Sequence, residues 1–267
     1  MRMKLFLLCS LAALITITAA CGDQLPTPET TSALKLEKAF DFPTDKKDPQ
    51  TFLRANAFNP DVGNYGPTRS DRQNRPKFHE GIDILGKLGD NVYSTAKGKV
   101  VRIDNDEGGY GNLVVIEHEN GLVSFYGHLS RVEKDALEKR NFMVEKGAKI
   151  GEIGHSGNAA GIPEAETHLH FEIGRLKDPQ LGVRPDGSVE PSVRYNGRNV
   201  EGMDPIKFII DGRQEIIRPL NKTKGLFERI VIDSTGTETV TILQARVTVQ
   251  NRQQKIVVEE QEPKPVE

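Results

Sequence analysis

Short runs in which apolar and polar residues alternate fill the middle of the chain, separated by turns rich in glycine, asparagine and aspartate. Alternation with a period of two predicts half-buried β-strands, and turns at close intervals favour antiparallel hairpins over strand–helix–strand units. The chain is therefore predicted to be all-β, an antiparallel sheet or sandwich-like body. One short surface helix is predicted at 131–140. The predicted strands are 81–84, 91–94, 99–103, 113–118, 122–126, 149–154 and 168–173.

The character of the sequence changes on both sides of this body and predicts how the chain is divided. Residues 40–75 show no sustained periodicity and are predicted to be loop-like. A polar segment rich in glycine and proline follows Gly174, and threonine–valine alternation appears closer to the C-terminus. The predicted units are a main domain at 40–212 (core 77–174, loop insertion 175–202, closing segment 203–212), a small β-rich C-terminal segment at 213–258 and a disordered tail at 259–267.

The N-terminal stretch has the features of an export signal. Arg2 and Lys4 flank the start of an apolar run, residues 5–17, which is shorter than the roughly 20 residues that a helix needs to cross a bilayer. Small residues then lead directly to Cys21. This arrangement resembles the bacterial lipobox, whose cysteine becomes the lipid-modified first residue of the mature protein. Residues 1–20 are therefore predicted to be a lipoprotein signal peptide.

Cysteine usage supports lipid attachment at Cys21. The chain has two cysteines, and Cys9 lies inside the apolar run, so removal of the signal leaves Cys21 without a partner for an internal disulfide. The alternative is an ordinary secreted protein with a spare cysteine. Residues 21–39, rich in proline and threonine, are predicted to be a flexible tether. The protein is thus expected to be exported to the cell envelope and held to a membrane by an N-terminal lipid.

Overall charge and composition exclude some classes of partner. The formal net charge is -2, which gives no basic surface for nucleic acid, so no nucleic-acid partner is expected. Aromatic residues make up 6% of the chain and tryptophan is absent, so large aromatic platforms for stacking sugars or bases are not expected. No ATP is available outside the cytoplasm, and simple hydrolysis fits that location.

Histidines and one aspartate recur in three local patterns that suit a metal-dependent hydrolase. His79 precedes Asp83 by four residues, His128 ends a predicted strand, and His168 and His170 open another. Side chains two apart on a strand point to the same face, and a small turn brings the first pair together. A catalytic zinc site uses about three protein ligands and keeps one position open. One histidine of the last pair is then left over beside the metal, with His128 as its partner in proton transfer.

These residues lie within four longer motifs. The motifs are Phe-His-Glu-Gly-Ile-Asp-Ile at 78–84, Gly-Tyr-Gly-Asn at 109–112, Tyr-Gly-His-Leu at 126–129 and His-Leu-His-Phe-Glu at 168–172. From about residue 77 to residue 174, with a closing Asp-Pro-Ile-Lys-Phe at 204–208, the chain resembles the LytM/lysostaphin-type family of zinc metallopeptidases. The resemblance covers the predicted core and only part of the remaining chain.

The resemblance implies a role for each of the five site residues. By it, His79, Asp83 and His170 bind zinc, the implied cofactor, while His128 and His168 are the non-ligand pair that handles the water and the tetrahedral intermediate. Which of the two is the base stays open. The implied activity is that of a zinc-dependent endopeptidase that hydrolyses peptide cross-links of bacterial peptidoglycan through a zinc-activated water, with stem peptides as the substrate.

Two other classes of function remain as alternatives. One is a non-catalytic wall-binding module or activator of a cell-wall amidase, and the other is a structural lipoprotein whose β-rich C-terminal segment binds a protein partner. Degenerate members of the resembled family lose zinc ligands and act only as amidase activators. All five site positions here carry the expected residue type, which favours the enzyme. The C-terminal segment is a candidate for binding a protein partner even in that case.

Five other polar residues near these motifs are interpreted without a role in chemistry. His118 is expected to be structural and His155 to be a loop residue. Glu172, two residues after His170, is interpreted as a strand-face carboxylate rather than as a residue that supports a metal ligand. Arg69 and Arg72 are interpreted as solvated loop charges rather than as contacts to an anionic peptide.

Overall fold

The computed structural model describes residues 40–176, 200–221, 223–232, 238–250 and 253–261. The predicted signal peptide, the lipidation site at Cys21 and the tether lie outside these residues, as do most of the predicted insertion and the end of the predicted tail. None of the helices within the described ranges is long and apolar enough to cross a membrane.

The segment before the main sheet contains regular structure, so the expectation of a loop at 40–75 is wrong for part of it. A single-turn helix, α1 (Pro49–Phe52), buries its phenylalanine. β1 (Gly66–Ser70) and β2 (Pro76–His79) then pair as a separate two-stranded antiparallel sheet. β1 has no alternating apolar pattern and β2 is only four residues long. Pairing between the two strands and packing of Phe78 hold this hairpin, rather than an alternating apolar face.

The central part of the described chain forms one nine-stranded antiparallel sheet, which confirms the predicted all-β fold. Every predicted strand is present, and β5 and β6 run longer because their pairing continues through polar residues to the turn. The predicted surface helix is α2 (Lys134–Lys139). The strands are β3 (Ile82–Leu85), β4 (Asn91–Tyr93), β5 (Gly98–Asp106), β6 (Gly111–His118), β7 (Leu122–Val132), β8 (Met143–Val144), β9 (Lys149–Ile153), β10 (His168–Leu176) and β11 (Val200–Met203).

Strand β10 brings the candidate site residues together. The strand order is β11-β10-β7-β6-β5-β8, and β3 also pairs with β10, on the edge away from β7. Leu169, Phe171 and Ile173 of β10 are buried in the main hydrophobic core. His168 and His170 therefore point to the other face, because side chains alternate along a strand. That second face of β10 is also buried, and it holds the site.

The C-terminal segment forms a second, four-stranded antiparallel sheet that follows helix α3 (Pro205–Asp211). Asp204 caps the start of α3, and Gly212 ends it with a φ of 65°. The last strand extends to residue 261. The prediction of a disordered tail is therefore wrong for residues 259–261, because these pair with the preceding strand. The strands are β12 (Gln214–Asn221), β13 (Leu226–Ile232), β14 (Glu238–Gln250) and β15 (Gln253–Gln261).

Candidate metal centre

Asp83 and His170 lie directly opposite each other on neighbouring strands. Asp83 is in β3 and His170 in β10, and the two residues are partners in the register of the antiparallel ladder. Oδ1 of Asp83 and Nδ1 of His170 are 3.0 Å apart, and both side chains are buried. The ladder therefore holds one carboxylate oxygen and one imidazole nitrogen next to each other.

His79 supplies a third donor atom from β2, outside that ladder. Its Nε2 lies 3.1 Å from Asp83 Oδ1 and 3.1 Å from His170 Nδ1. A tetrahedral zinc ion bound at about 2.0–2.1 Å from its ligands separates the ligand atoms by about 3.3 Å. The three predicted ligands thus converge with the spacing of such a site. Two imidazoles and one carboxylate are also a donor set that suits zinc.

Hydrogen bonds outside the cluster determine which ring nitrogen of each histidine faces the metal position. His79 Nδ1 donates to the backbone carbonyl of Asn64 at 2.8 Å, which leaves the lone pair on Nε2. His170 Nε2 donates to Glu172 Oε1 at 2.7 Å, so the neutral ring carries its lone pair on Nδ1. Metal-binding histidines usually have such a partner, because it orients the ring and sets its tautomer. The residues present therefore fit a zinc ion.

Glu172 belongs to this arrangement, so its interpretation as a mere strand-face carboxylate is wrong. It is buried, and its Oε1 accepts a second hydrogen bond from the hydroxyl of Tyr110 at 2.7 Å. The spacing of two from His170, which puts both side chains on one face of β10, is the sequence signal for this role. Tyr110 lies in the Gly-Tyr-Gly-Asn motif, but no local pattern predicts its contact with Glu172, because the two residues are 62 apart in the chain.

His128 lies in a bulge of β7 that turns its ring toward the ligands. Gly127 and His128 together occupy the span of one residue of the neighbouring strand β6, and His128 has a φ of 60°. An extra residue of this kind bends the strand and re-aims a side chain, and left-handed backbone in a residue other than glycine is common at functional sites. His128 Nδ1 donates to the backbone carbonyl of Ser156 at 3.0 Å, which leaves the lone pair on Nε2.

His168 forms a pair with His128 beside the ligand cluster. Its Nδ1 donates to the carbonyl of Glu166 at 2.7 Å, and its Nε2 lies 3.5 Å from Asp83 Oδ2. The rings of His128 and His168 meet edge to face with centroids 5.1 Å apart, and the ring of His128 is 5.7 Å from that of His170. Two imidazoles outside the ligand set therefore each offer an unprotonated nitrogen, as general acid–base chemistry requires.

Two arginines from the segment before β3 bind the other oxygen of Asp83. Arg69 Nη2 lies 2.5 Å from Asp83 Oδ2, and Arg54 Nη1 lies 3.3 Å from it. Arg54 also donates to Glu166 at 2.6 Å. The interpretation of Arg69 as a solvated loop charge is therefore wrong, since its guanidinium pairs with a buried carboxylate. Arg72 is exposed, as expected. Sequence reasoning gave Arg69 no role in the site and did not single out Arg54.

Neighbouring charges set the protonation of Asp83 and His170. Burial alone would raise the pKa of the Asp83 carboxyl, but its interactions with His79, Arg69 and His168 and the hydrogen bond from His170 outweigh burial and hold that pKa well below its usual range. Burial also disfavours protonation of His170, yet its hydrogen bonds to Asp83 and Glu172 prevail and raise its pKa to about 9. Without a metal, His170 therefore carries a proton at neutral pH, and Asp83 is ionised.

The other site histidines are neutral at neutral pH. Burial is the largest cause that lowers the pKa of His79 to about 4 and that of His128 to about 3, and it lowers the pKa of His168 as well.

Of the remaining histidines, His118 is buried and hydrogen-bonded to a serine hydroxyl and a backbone carbonyl, which confirms its structural role. His155 is exposed on a loop, as expected.

The part of the chain that holds the site is similar to known proteins. Residues 77–181 match the model of Peptidase family M23. The murein hydrolase activator NlpD of Escherichia coli is 37% identical over 95 residues, 36% of this chain and 22% of that protein. The DD-carboxypeptidase/endopeptidase Mpg of Neisseria meningitidis is 36% identical over 96 residues, 36% of this chain and 20% of that protein. The matched segment thus spans less than a quarter of either relative.

A third relative is matched over most of its length. The lipoprotein NlpD of Yersinia enterocolitica is 36% identical over 91 residues, which are 34% of this chain and 84% of that protein. The segment that matches the family model contains the three converging donors and both remaining site histidines, whereas Arg54, Arg69 and the C-terminal sheet lie outside it. The chain belongs to peptidase family M23 and carries a LytM-type peptidase domain.

Proposed function

We propose that this protein is a zinc-dependent endopeptidase that hydrolyses peptide cross-links of bacterial peptidoglycan. The observation that carries the proposal is the orientation of four imidazoles around Asp83. Two of them, His79 and His170, have their metal-facing nitrogens set by outside hydrogen bonds. The other two, His128 and His168, have Nδ1 bound to a backbone carbonyl, so each carries an unprotonated Nε2 beside the cluster. A module that only binds the cell wall has no need for this second pair.

The proposed chemistry divides the work between the ligands and the two free histidines. Zinc, when bound by the three ligands, lowers the pKa of water and polarises a carbonyl group. His128 and His168 each have Nδ1 tied to a backbone carbonyl, so Nε2 is the atom that accepts or returns a proton and that donates to a developing oxyanion. Burial lowers the pKa of both rings, so both are neutral at pH 7 and each carries an unprotonated Nε2.

Peptidoglycan stem peptides are the proposed substrate, and the cell envelope is the proposed location. One relative is named a murein hydrolase activator and another a DD-carboxypeptidase/endopeptidase, and a third is named a lipoprotein. Lipid attachment at Cys21 would hold the domain at a membrane next to the wall. Two further points stay predictions. One is that the C-terminal sheet binds a protein partner, and the other is that a domain boundary lies near residue 212.

Activation of a cell-wall amidase is a second candidate function. The relative in Escherichia coli is named a murein hydrolase activator, and 95 residues around the site are 37% identical to it. An activator acts through its surface and needs no zinc chemistry. The complete set of oriented histidines therefore favours the enzyme, while the name of the relative favours the activator. The two functions also differ in which substitutions they tolerate.

The endopeptidase is tested with the purified protein, its zinc content and isolated muropeptides. The test variant is His170→Ala, and the matched control is His155→Ala, which removes an exposed imidazole from a loop. We expect about one zinc ion per chain and cleavage from the wild type and the control, and loss of both in the test variant. Mass spectrometry of the products identifies the bond. A wild type that binds no zinc and cleaves nothing would contradict the proposal.

The activator is tested by adding the same three proteins to a purified cell-wall amidase. Stimulation of the amidase by wild type and by His170→Ala alike would support an activator whose surface does not depend on the metal centre. Cleavage of muropeptides without any amidase, together with no effect on the amidase, would exclude the activator and support the enzyme.

A further inference from the structure

The three metal-binding positions are held in two different ways. Asp83 and His170 face each other across the β3–β10 ladder of the nine-stranded sheet. His79 ends β2, and within the described residues β2 pairs only with β1, as a two-stranded sheet of its own. No hydrogen-bonded ladder in those residues therefore ties His79 to the strands of its two partners. Its position depends on the two-residue link to β3, residues 80–81, and on what packs against the hairpin.

The residue next to His79 packs on the C-terminal sheet. Side chains alternate along a strand, so Phe78 and His79 point to opposite faces of β2. The ring of Phe78 stacks on Phe227 of β13, with centroids 5.9 Å apart and an angle of 29° between the ring planes. It meets Tyr65 edge to face at 5.3 Å. Phe227 is buried with Leu243 and other apolar residues of the C-terminal sheet.

The partner that sets the tautomer of His79 is tied to the same sheet. His79 Nδ1 donates to the carbonyl of Asn64, and the next residue along the chain is Tyr65. The Tyr65 hydroxyl donates to the carbonyl of Gly202 at 3.0 Å and accepts from the backbone N–H of Ile217 in β12 at 3.2 Å. Burial raises the pKa of Tyr65 above its usual value, so the hydroxyl keeps its proton and remains a donor.

We propose that the C-terminal sheet positions His79 in the metal centre, with Phe227 and Tyr65 as the positioning residues. Phe227 locates the strand that carries His79, and Tyr65 locates the carbonyl that orients its ring. The sheet lies outside the segment that matches the family model. The inference rests on metal binding, the first part of the proposed function, and does not require catalysis.

The test measures zinc affinity by competition with a chelator, using the full-length protein. Phe227→Ala removes the ring under Phe78, and Tyr65→Phe keeps its ring but removes the hydroxyl link to β12. We expect the affinity to fall at least about tenfold in Phe227→Ala and by a smaller factor in Tyr65→Phe. Phe227→Leu, which restores apolar volume, should recover part of the loss. Val240→Ala, an exposed position of the same sheet, should have no effect.

A double-mutant cycle separates positioning from general loss of structure. In the His79→Ala background, Phe227→Ala should cause no further loss of affinity, because its effect passes through His79. The visible spectrum of the cobalt-loaded Phe227→Ala protein should also change, since it reports ligand geometry. Unchanged affinity in Phe227→Ala, or an equal further loss in the His79→Ala background, would overturn the inference. A wild type without zinc would overturn the proposed function as well, so the two failures are distinct.

Discussion

Arg69 Nη2 donates a hydrogen bond to His79 Nε2 at 2.8 Å, on the nitrogen that faces Asp83 Oδ1 and His170 Nδ1. His79 Nδ1 already gives its proton to the carbonyl of Asn64, so Nε2 carries the lone pair that Arg69 uses. A metal ion needs the same lone pair. Binding of zinc at this position would therefore break the hydrogen bond between Arg69 and His79, whereas the contact of Arg69 with Asp83 Oδ2 would not have to change.

Replacing Arg69 should strengthen zinc binding. In Arg69→Met the lone pair of His79 is free, and a positive charge next to the metal position is lost. We expect zinc affinity to rise about tenfold, or about 1.4 kcal/mol. The metal-free protein should lose about 1.5–3 kcal/mol of unfolding free energy, because the buried Asp83 carboxylate loses one charged partner. Chelator competition and denaturant unfolding measure the two quantities.

The matched control for Arg69 is Arg72→Met, which removes an exposed arginine three residues away. It should leave both zinc affinity and stability unchanged. Weaker zinc binding in Arg69→Met would show instead that the arginine supports the ligand set, by orienting Asp83, more than it competes with the metal.

The hydrogen bond from His170 Nε2 to Glu172 should matter for metal binding. Glu172→Leu removes the acceptor that sets the tautomer of His170, so zinc affinity should fall about 10–100-fold. Glu172→Gln keeps an oxygen acceptor and should lose less. Glu164→Leu, an exposed glutamate on the loop before β10, is the control. Equal affinities in Glu172→Leu and wild type would mean that the strand alone orients His170.

The two free histidines should separate metal binding from turnover. His128→Ala and His168→Ala should keep a full complement of zinc, because neither residue is in the converging set. Cleavage of muropeptides should fall at least about 100-fold in each, since proton transfer is lost. Asp83→Asn should lose zinc and cleavage together. Metal content and turnover are measured on the same preparations. Equal loss of zinc in all three variants would contradict the assignment of His128 and His168 as non-ligands.

Zinc binding should release a proton from His170. The pKa of His170 is raised to about 9 in the metal-free protein, so at pH 7 Nδ1 is protonated and must lose that proton to become a ligand. The pKa of His79 is lowered to about 4, so it contributes no proton. Apparent affinity should therefore fall about tenfold for each unit that the pH drops between about 8 and 5, and level off above about 9.

Calorimetry in buffers of different ionisation enthalpy counts the protons released. About one proton per zinc ion at pH 7 is expected from the His170 ring alone. Release near zero would mean that His170 is neutral before the metal arrives, and release near two would mean that His79 is protonated as well.

Sequence alone determined the fold class and the residue types of the centre. Apolar alternation and glycine turns predict the antiparallel strands because both act over a few residues of backbone. The same holds for the donors, since His79 and Asp83 are four residues apart and His168 and His170 are two apart. Alternation along one strand places His168 and His170 on the same face, and the short separation of His79 and Asp83 along the chain keeps that pair close.

Only the tertiary structure decided what surrounds those donors. Arg54 reaches Asp83 across 29 residues, Tyr110 reaches Glu172 across 62, and Phe227 lies in a different sheet from the site. Such contacts form when the sheet closes and the hairpin and the C-terminal sheet pack, so no periodicity along the chain encodes them. For the same reason the β1–β2 hairpin was missed, because pairing and packing hold it rather than an alternating apolar face.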